Sequence, residues 1–354
     1  ISHSILFSRF TYLYEHPVSD NNGFYRQTFD SASPTYDSTY IYKIENKLSW
    51  TNADNAKPQF LTFNFALRHL YIENSVDSVK TIYNQLIPTG EVNFRVSDNI
   101  RLHFFGDFVT GNSYVGDFNL IGKVNLKTGL GELSYELQNA NLEPGRFYQA
   151  YESNHFRWLN EFKKQYFLIN KFKYNLGSLS AWVNLFAIEN FIYMDSFATP
   201  DQMGSNLQIL QAGIRKEFKF GDFSFRARAL YQKASTDHSI RVPELLGDVS
   251  LTYTRFLFKK AAIIQPGIDA FYNTPYYAYT YMPATRSFFI QNEKQLGDYM
   301  YADFYLNLQI KRARLFLKYH NLGFLLENFS YYTVPSYPMR DGGFRFGVSW
   351  MFYD

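Results

Sequence analysis

The C-terminal segment of the chain alternates between two kinds of side chain. Apolar and aromatic residues occupy every second position, and charged, small or mixed side chains lie between them. The two sets are Phe344, Phe346, Val348, Trp350 and Phe352, and Arg345, Gly347, Ser349, Met351 and Tyr353. Successive side chains of a β-strand point to opposite faces, so a period of two predicts a strand. The two faces of this strand are expected to meet different solvents.

The same alternation recurs along the whole chain, in about 16 segments. One example runs over residues 61–68 and another over 302–311. The connections also alternate, between short turns such as 128–131 and longer polar loops such as 141–164 and 280–298. This regular exchange of short and long connections is a second, independent periodicity of the chain.

Short turns on one side and long loops on the other are typical of membrane β-barrels. Lipid offers no hydrogen-bond partner to an open sheet edge, so a sheet that spans a membrane must close. We therefore predict an all-β fold, a transmembrane antiparallel β-barrel of about 16 strands in the bacterial outer membrane. Both termini are expected in the periplasm and the long loops outside the cell. A soluble β-sandwich, the alternative, gives no reason for two alternating connection lengths.

The composition excludes several other classes of protein. Of the 354 residues, 20% are aromatic and 46% hydrophobic, yet no uninterrupted apolar run exceeds four residues. A helical membrane span needs about 20, so helical membrane proteins are excluded. The net charge of +3 gives no indication of nucleic-acid binding. The absence of cysteine rules out disulfides, thiolate metal sites and a cysteine nucleophile.

The alternating pattern predicts a single domain over residues 1–354. No linker, low-complexity tract or run of like charges marks a boundary within it. The chain begins with Ile1-Ser2-His3, almost inside a strand pattern. We therefore expect further residues upstream in the native protein, which leaves its total strand count open.

Several sequence motifs in the second half of the chain are specific in combination. They are Ser153-Asn154-His155-Phe156-Arg157-Trp158, Ile192-Tyr193-Met194-Asp195, Thr199-Pro200-Asp201-Gln202, Val242-Pro243-Glu244-Leu245-Leu246, Tyr272-Asn273-Thr274-Pro275-Tyr276-Tyr277, Tyr281-Met282-Pro283 and Tyr337-Pro338-Met339. With these motifs the chain resembles the "putative porin" family of Bacteroidetes outer membranes. The resemblance implies an outer-membrane β-barrel assigned as a porin, and it implies no particular substrate.

The final strand also carries a spacing with a functional interpretation. Arg345 and the residues Gly347, Trp350 and Phe352 resemble the assembly signal of outer-membrane proteins. The expected partners are therefore the barrel-assembly machinery during insertion and outer-membrane lipid afterwards, together with other envelope proteins. No nucleic-acid partner is expected.

Charged residues that repeat on one face of a strand are the candidate pore lining. A charge facing hydrocarbon at the bilayer midplane costs about 2–4 kcal/mol, so such residues are expected to face a wet interior. Positive charges outnumber negative ones among them, which predicts a slight preference for anions. The alternative is that they pair across strands and only solvate a plugged interior. The predicted residues are Lys43, Glu45, Lys47, Arg68, Arg95, Arg101, His103, Asp107, Lys123, Glu132, Glu136, Arg226, Arg228, Asp303, Lys311, Arg314, Lys318 and Arg345.

The predicted function is passive diffusion of small hydrophilic solutes, and the alternative is a non-conducting barrel subunit of a larger outer-membrane assembly. Ser153 and His155 invite a nucleophile-and-base interpretation. However, residues so close together in one loop rarely have the required geometry, and no Gly-x-Ser-x-Gly motif is present. We therefore expect no enzymatic activity. The seven histidines form no His-x-His or His-x-x-x-His pair, so no metal or cofactor is expected.

The two longest loops, 141–164 and 280–298, are candidates to fold inward and constrict the pore. Within the first of them, the run from Ser153 to Trp158 places aromatic and basic side chains close together. Such a run suits contact with a sugar or a phosphate. The alternative is that it packs the loop against the barrel.

Overall fold

A computed structural model of the chain describes residues 1–16, 23–29, 35–52, 59–76, 79–326 and 332–352. The sequence pattern also predicts a short turn at 52–58 and longer loops at 17–38, 74–80 and 330–343, and these lie in part outside the described residues. The described helices are α1 (Arg146–Gln149) and α2 (Gly323–Leu326), each a single turn. No helix in the described part of the chain has the length and apolar character needed to cross a membrane.

The strands carry nearly all of the regular structure. In chain order they are β1 (Ser2–His16), β2 (Thr35–Thr51), β3 (Leu61–Val76), β4 (Val79–Arg95), β5 (Ile100–Phe108), β6 (Thr110–Gly111), β7 (Phe118–Thr128), β8 (Gly131–Leu142), β9 (Ala150–Glu152), β10 (Arg157–Leu159), β11 (Gln165–Leu176), β12 (Leu179–Glu189), β13 (Ile192–Met194), β14 (Pro200–Gln202), β15 (Leu207–Phe220), β16 (Phe223–Ala234), β17 (Leu245–Tyr253), β18 (Arg255–Leu257), β19 (Ala262–Asn273), β20 (Thr280–Met282), β21 (Ser287–Phe289), β22 (Tyr301–Ile310), β23 (Ala313–His320), β24 (Tyr332–Val334), β25 (Tyr337–Pro338) and β26 (Gly343–Trp350).

The chain divides into two compact units. The first unit comprises Ile1–Phe172, Asn184–Gln208 and Tyr281–Ile290, and the second comprises Lys173–Val183, Ile209–Thr280 and Gln291–Asp354. No observation tests the expected single domain, which stays a prediction.

One sheet of 18 strands dominates the structure. In the first unit β1, β2, β3, β4, β5, β7 and β8 pair in that order, and every pair is antiparallel. In the second unit β15, β16, β17, β19, β22, β23 and β26 do the same. The predicted all-β antiparallel organisation is confirmed. The short hairpins β9–β10, β13–β14, β20–β21 and β24–β25 lie outside this sheet.

Two strands of the sheet are short because a proline interrupts the ladder beside each of them. Pro88 pairs with β3 without a break, but on its other side the ladder stops where β5 ends and resumes at β6. Pro266 likewise pairs with β22, and on its other side the ladder stops between β17 and β18. Proline has no backbone N–H and therefore removes one hydrogen bond from a ladder. These interruptions of the ladder produce the two short strands β6 and β18.

The barrel's total of about 16 strands and the periplasmic location of both termini stay predictions.

The ladder register separates two faces of the sheet within each unit, because residues directly opposite each other lie on the same face. In the second unit Leu306 lies opposite Pro266 and Leu317, whereas Asn307 donates a hydrogen bond from Nδ2 to Gln265 Oε1 at 3.1 Å. We call the face that carries Leu306 the apolar face and the one that carries Asn307 the polar face. In the first unit the apolar face carries Leu61, Phe63, Phe65 and Leu67 of β3.

The apolar face of the first unit has a boundary along the strands. Leu61 to Leu67 forms an apolar band of about 20 Å along the strand, at roughly 3.3 Å per residue. Beyond Leu67, the same face of β3 carries His69 and Glu73. The Glu73 carboxylate lies 2.7 Å from Lys80 Nζ, and the ring of His69 lies 2.6 Å from the side-chain oxygen of Asn84. The long strands therefore extend past the apolar band into a polar zone.

Candidate functional site

The predicted pore-lining residues of the first unit share the polar face. Lys47 lies directly opposite Arg68, and Arg95 lies opposite Arg101. The pairs His103–Lys123, Lys123–Glu136 and Lys127–Glu132 continue this face into the next strands. Lys43, Glu45 and Asp107 are separated from these residues by an even number of positions on their own strands. All eleven predicted residues of this unit therefore lie on one face.

The second unit shows the same arrangement with one exception. Arg228 lies opposite Asp248, and Lys318 lies opposite Arg345, on the face that also carries Arg226, Asp303 and Arg314. Lys311 departs from the prediction. Strand β22 ends at Ile310, and Lys311 begins the turn to β23 with a φ of 50°. The strand alternation therefore does not position Lys311.

Several charges of the polar face are paired with each other. In the first unit Glu45 accepts a hydrogen bond from Arg68 Nε at 2.8 Å and lies 3.3 Å from Lys43 Nζ. Glu136 accepts one from Lys171 Nζ at 2.9 Å and lies 3.9 Å from Lys123 Nζ. These pairs agree with the alternative interpretation, in which charges compensate one another across strands.

The second unit pairs its charges in the same way. Arg228 Nε lies 2.5 Å from Asp248 Oδ2, and Lys318 Nζ lies 2.5 Å from Asp303 Oδ2. Asp303 also accepts the backbone N–H of Asn321 at 2.9 Å, so the end of β23 is tied to β22. The polar face therefore presents clusters of compensated charge rather than a row of isolated cations.

The structure adds charged residues to the polar face that the sequence analysis missed. Acids and bases are about equally numerous among them, so they leave the excess of positive charge, from which an anion preference was predicted, nearly unchanged. The same alternation identifies them, since Glu91 lies four residues before Arg95 on one strand. The additional acids are Glu91, Glu217, Asp248 and Asp269, and the additional bases include Lys171 and Arg215.

On the polar face of the second unit, two glycines each lie opposite a large aromatic side chain of the neighbouring strand. A Cβ atom on Gly267 would collide with Tyr305, and one on Gly347 would collide with Phe316. Tyr305 crosses Gly267 and its hydroxyl lies 2.9 Å from Thr252 Oγ1 on the next strand. Gly347 of the predicted assembly signal therefore has a local packing role. Trp350 and Phe352 of that signal are exposed, and their role in assembly stays a prediction.

The loops of the first unit enclose a buried aromatic cluster that we call the loop core. It consists of Tyr25, Tyr151, Phe156, Ala198, Met282 and Ala284. These residues come from four loop segments, and partly buried side chains such as Trp158 pack around them. The predicted loops 141–164 and 280–298 both contribute, so the structure does bring these two loops together.

A tight turn at the tip of the β9–β10 hairpin is the centre of this cluster. The backbone N–H of Ser153 donates to Phe156 O at 2.9 Å, and Phe156 N–H donates to Ser153 Oγ at 3.2 Å. His155 is buried and stacks on Tyr25 with 3.8 Å between ring centroids. Its Nδ1 lies 3.1 Å from the carbonyl oxygen of Gln27, so Nδ1 is the donor there. Ser153 and His155 are thus both engaged in loop packing.

The other motif segments of the first unit also hold loops together. The Tyr193 hydroxyl donates to Asp201 Oδ2 at 2.7 Å. Burial, together with this carboxylate, raises the pKa of Tyr193, so the hydroxyl stays protonated and remains a donor. Asp195 Oδ1 accepts the N–H groups of Phe197 at 2.8 Å and Thr199 at 3.0 Å. The β13–β14 hairpin is therefore held by its own side chains.

Segment 281–290, which supplies Met282 and Ala284 of the loop core, is held by hydroxyl groups and by a cation–π contact. The Tyr12 hydroxyl donates to Pro283 O at 2.7 Å, and the Tyr151 hydroxyl donates to Ala284 O at 3.3 Å. The guanidinium of Arg286 lies 3.6 Å from the ring centroid of Tyr12, a cation–π contact. Aromatic rings thus supply both packing and polar anchors in this region.

The described residues contain no group of three or more His, Cys, Asp or Glu side chains placed to hold a metal ion. The contacts of the loop core are aromatic packing, hydroxyl hydrogen bonds and a guanidinium on a ring.

Comparison with known proteins assigns this architecture to a class. The model of the "putative porin" family matches residues 1–354. No curated protein matches the chain. Among solved structures, the copper transporter OprC has a TM-score of 0.65 at 12% identity, over 98% of this chain and 61% of its own. A ferric enterobactin receptor from Pseudomonas aeruginosa has a TM-score of 0.66 at 10% identity, over 98% of this chain and 58% of its own.

The siderophore receptor PirA from Acinetobacter baumannii is similar to the same degree, with a TM-score of 0.64, 10% identity and coverage of 98% and 59%. At such identities the likeness extends to the fold alone, which is that of outer-membrane β-barrels. The chain spans about three-fifths of the length of these proteins.

Proposed function

Because the chain belongs to the "putative porin" family and has the fold of outer-membrane β-barrels, we propose that it lets small hydrophilic solutes diffuse passively across the outer membrane. The observation that carries the proposal is the polar face. Seventeen of the 18 predicted charged residues lie on the polar face of their own unit, Lys311 being the exception. In a membrane barrel such a face lines the interior and the apolar face meets lipid.

The paired charges suit a conducting interior. A pore must attract ions or polar solutes enough for entry and release them again, so binding has to stay weak. Pairs such as Arg68–Glu45 and Lys171–Glu136 present polar groups to a passing solute but carry little net charge. We expect weak selectivity, with anions slightly preferred.

The loop core is proposed to set the size limit of the passage. Its packing holds loop 141–164 and segment 281–290 against each other, with the Tyr151–Ala284 hydrogen bond between them. A hydrogen-bonded, close-packed loop cluster remains in one place, which a constriction requires. In this proposal the run from Ser153 to Trp158 positions the constriction rather than binding a ligand.

Single-channel recording in planar bilayers tests the proposal, combined with the swelling of liposomes in sugars of increasing size. Folded protein should give discrete conductance steps and swelling that falls off as the sugar grows. Folded protein that inserts but neither conducts nor causes swelling would rule out the porin function.

The second candidate is a non-conducting subunit of an outer-membrane assembly, which the extensive packing of the loop core favours. In that case the protein should co-purify from native membranes with a partner in fixed stoichiometry. For either candidate we propose that outer-membrane lipid covers the apolar face. The barrel-assembly machinery is then expected to recognise the final strand through Gly347, Trp350 and Phe352.

A further inference from the structure

The loops of the second unit enclose a polar pocket of about 450 Å³. Three segments form its walls: 232–244, 275–277 and the neighbourhood of Gln295. Motif residues of the sequence analysis, Glu244 and Tyr276-Tyr277 among them, line it. The pocket is separate from the loop core, which belongs to the first unit.

Arg241 is the buried charge of this pocket, with a side chain only 8% exposed. Its Nη2 donates to Asn292 Oδ1 at 2.6 Å. The nearest carboxylate among the described residues, that of Asp237, lies 3.9 Å from Nη1 on a side chain that is 95% exposed. The buried Nε has no hydrogen-bond partner among the described residues. A guanidinium has five N–H donors, and among the described residues Asn292 is the one hydrogen-bond acceptor that this side chain binds.

Of the other charges at the pocket, Lys233 and Glu244 compensate each other, and Asp237 points into solvent with 95% of its side chain exposed. Lys233 Nζ lies 2.6 Å from Glu244 Oε1, and both side chains are more than half exposed. Burying a charge without a close partner is costly, whereas a charge pair at the surface contributes little. Arg241 is therefore the group in the pocket that gains most from an incoming anion.

The pocket walls are held in place before any ligand arrives. The Tyr279 hydroxyl accepts the backbone N–H of Arg241 at 3.1 Å and donates to Ser239 O at 3.2 Å. Burial raises the pKa of Tyr279, so this hydroxyl keeps its proton. Gln232 Nε2 donates to Pro243 O at 2.9 Å, and Tyr276 and Leu296 exchange two backbone hydrogen bonds. A preformed pocket loses less entropy when a ligand binds.

One wall of the pocket is aromatic. The ring centroid of Tyr277 lies 5.9 Å from the guanidinium carbon of Arg241, and Pro275 and Tyr276 adjoin it. Amide and hydroxyl side chains, including Gln295 and Thr236, also line the pocket, together with the aliphatic Ile240 and Val242. An aromatic ring beside amides and hydroxyls suits a hydroxylated ring that has an apolar and a polar side.

We propose that this pocket binds a small carboxylate-bearing sugar, with the carboxylate held by Arg241 and the sugar ring packed against Tyr277. The planar guanidinium matches a carboxylate through two parallel hydrogen bonds. The inference deepens the proposed diffusion function by naming a class of solute that is retained at the loops. Binding itself does not require that the barrel conducts.

Isothermal titration of the full chain in detergent with glucuronate and with glucose tests this proposal, since the two sugars differ only in the carboxylate. Glucuronate should bind at least about tenfold more tightly, as expected for a charge-assisted pair. Arg241→Gln should remove that difference. Arg241→Lys keeps the positive charge but lacks the two parallel N–H donors of the guanidinium, so it should retain part of the difference. Arg255→Gln is the matched control, since Arg255 is exposed and bonded to Tyr253.

Equal affinities for the two sugars would overturn the inference. So would an Arg241→Gln variant that binds glucuronate like the natural protein. Thermal unfolding and hydrogen exchange over residues 291–298 establish that each variant keeps the pocket folded. If glucuronate binds but no conductance is found, the site stands and the porin function fails.

Discussion

The strands and the loops of this protein are organised by different rules. Along β22 every second residue, such as Phe304, Leu306 and Leu308, lies on the apolar face, and each strand pairs with its neighbour in simple order. The loop core instead gathers Tyr25, Tyr151 and Met282 from distant parts of the chain, without any period. The strands therefore depend on repetition, and the loops depend on particular contacts.

This difference predicts two kinds of damage. A substitution that breaks the alternation acts on insertion into the membrane, because the whole strand must match its two solvents. A substitution in the loops leaves the strand pairing intact and loosens one local cluster. Four substitutions, taken from the largest expected effect to the smallest, separate these two outcomes.

The largest effect is expected from Leu306→Arg on the apolar face. The arginine costs about 2–4 kcal/mol in hydrocarbon, and the lost leucine contacts add about 2 kcal/mol. Assembly should fail, as seen by the loss of the heat-modifiable folded band in gel electrophoresis. Asn307→Arg, the neighbouring position on the polar face, should assemble and alter conductance. Equal assembly of the two variants would show that the faces of β22 are wrongly assigned.

Trp158→Ala should loosen the loop core while the strands still assemble. Trp158 Nε1 donates to Phe147 O at 2.6 Å and the ring stacks on Tyr151 at 4.8 Å. Removing such an aromatic side chain costs about 3 kcal/mol locally. Limited proteolysis should then cut loop 141–164, and channels should pass larger sugars. Leu159→Ala is the control, since Leu159 is next in sequence and 82% exposed.

Gly297→Ala should act on the loops of the second unit. Gly297 has a φ of +94°, and a Cβ atom there would lie 2.6 Å from the carbonyl oxygen of Thr274. The strain of about 1–2 kcal/mol should displace the segment that pairs with Tyr276. Faster hydrogen exchange near residues 274–298 would report it. Gly204→Ala, which meets nothing within 4 Å, should leave exchange unchanged; an effect of equal size there would contradict the explanation.

The smallest effect is expected from Glu136→Gln on the polar face. It leaves Lys123 and Lys171 without their shared partner, and such half-exposed pairs contribute about 0–1 kcal/mol. Stability should hardly change, but the reversal potential in a salt gradient should shift toward anions. An unchanged reversal potential would mean that these side chains do not face the conducting path.

The sequence predicts the strand region well because the property that determines it is local. A residue's face follows from its parity, so Arg95 and Lys123 could be placed on the polar face, and Glu91 could have been placed there by the same rule. Parity does not place Lys311, because the strand ends one residue before it, and its pore-lining role stays a prediction. Proline has no backbone N–H, so interruptions of the hydrogen-bond ladder beside Pro88 and Pro266 are expected. Predicting where they fall requires knowing which strands pair.

The sequence by itself determined an antiparallel sheet with one apolar and one polar face, since alternation with a period of two needs no knowledge of distant residues. Only the tertiary structure decided which loops meet, that His155 stacks on Tyr25, and that Arg241 is buried with unused donors. Those facts depend on contacts between residues far apart in the chain, which no local pattern encodes. The physical reason is that each strand residue is placed on a polar or an apolar face by its position in the alternation alone. Loop packing depends instead on the shapes of side chains that come from distant segments of the chain.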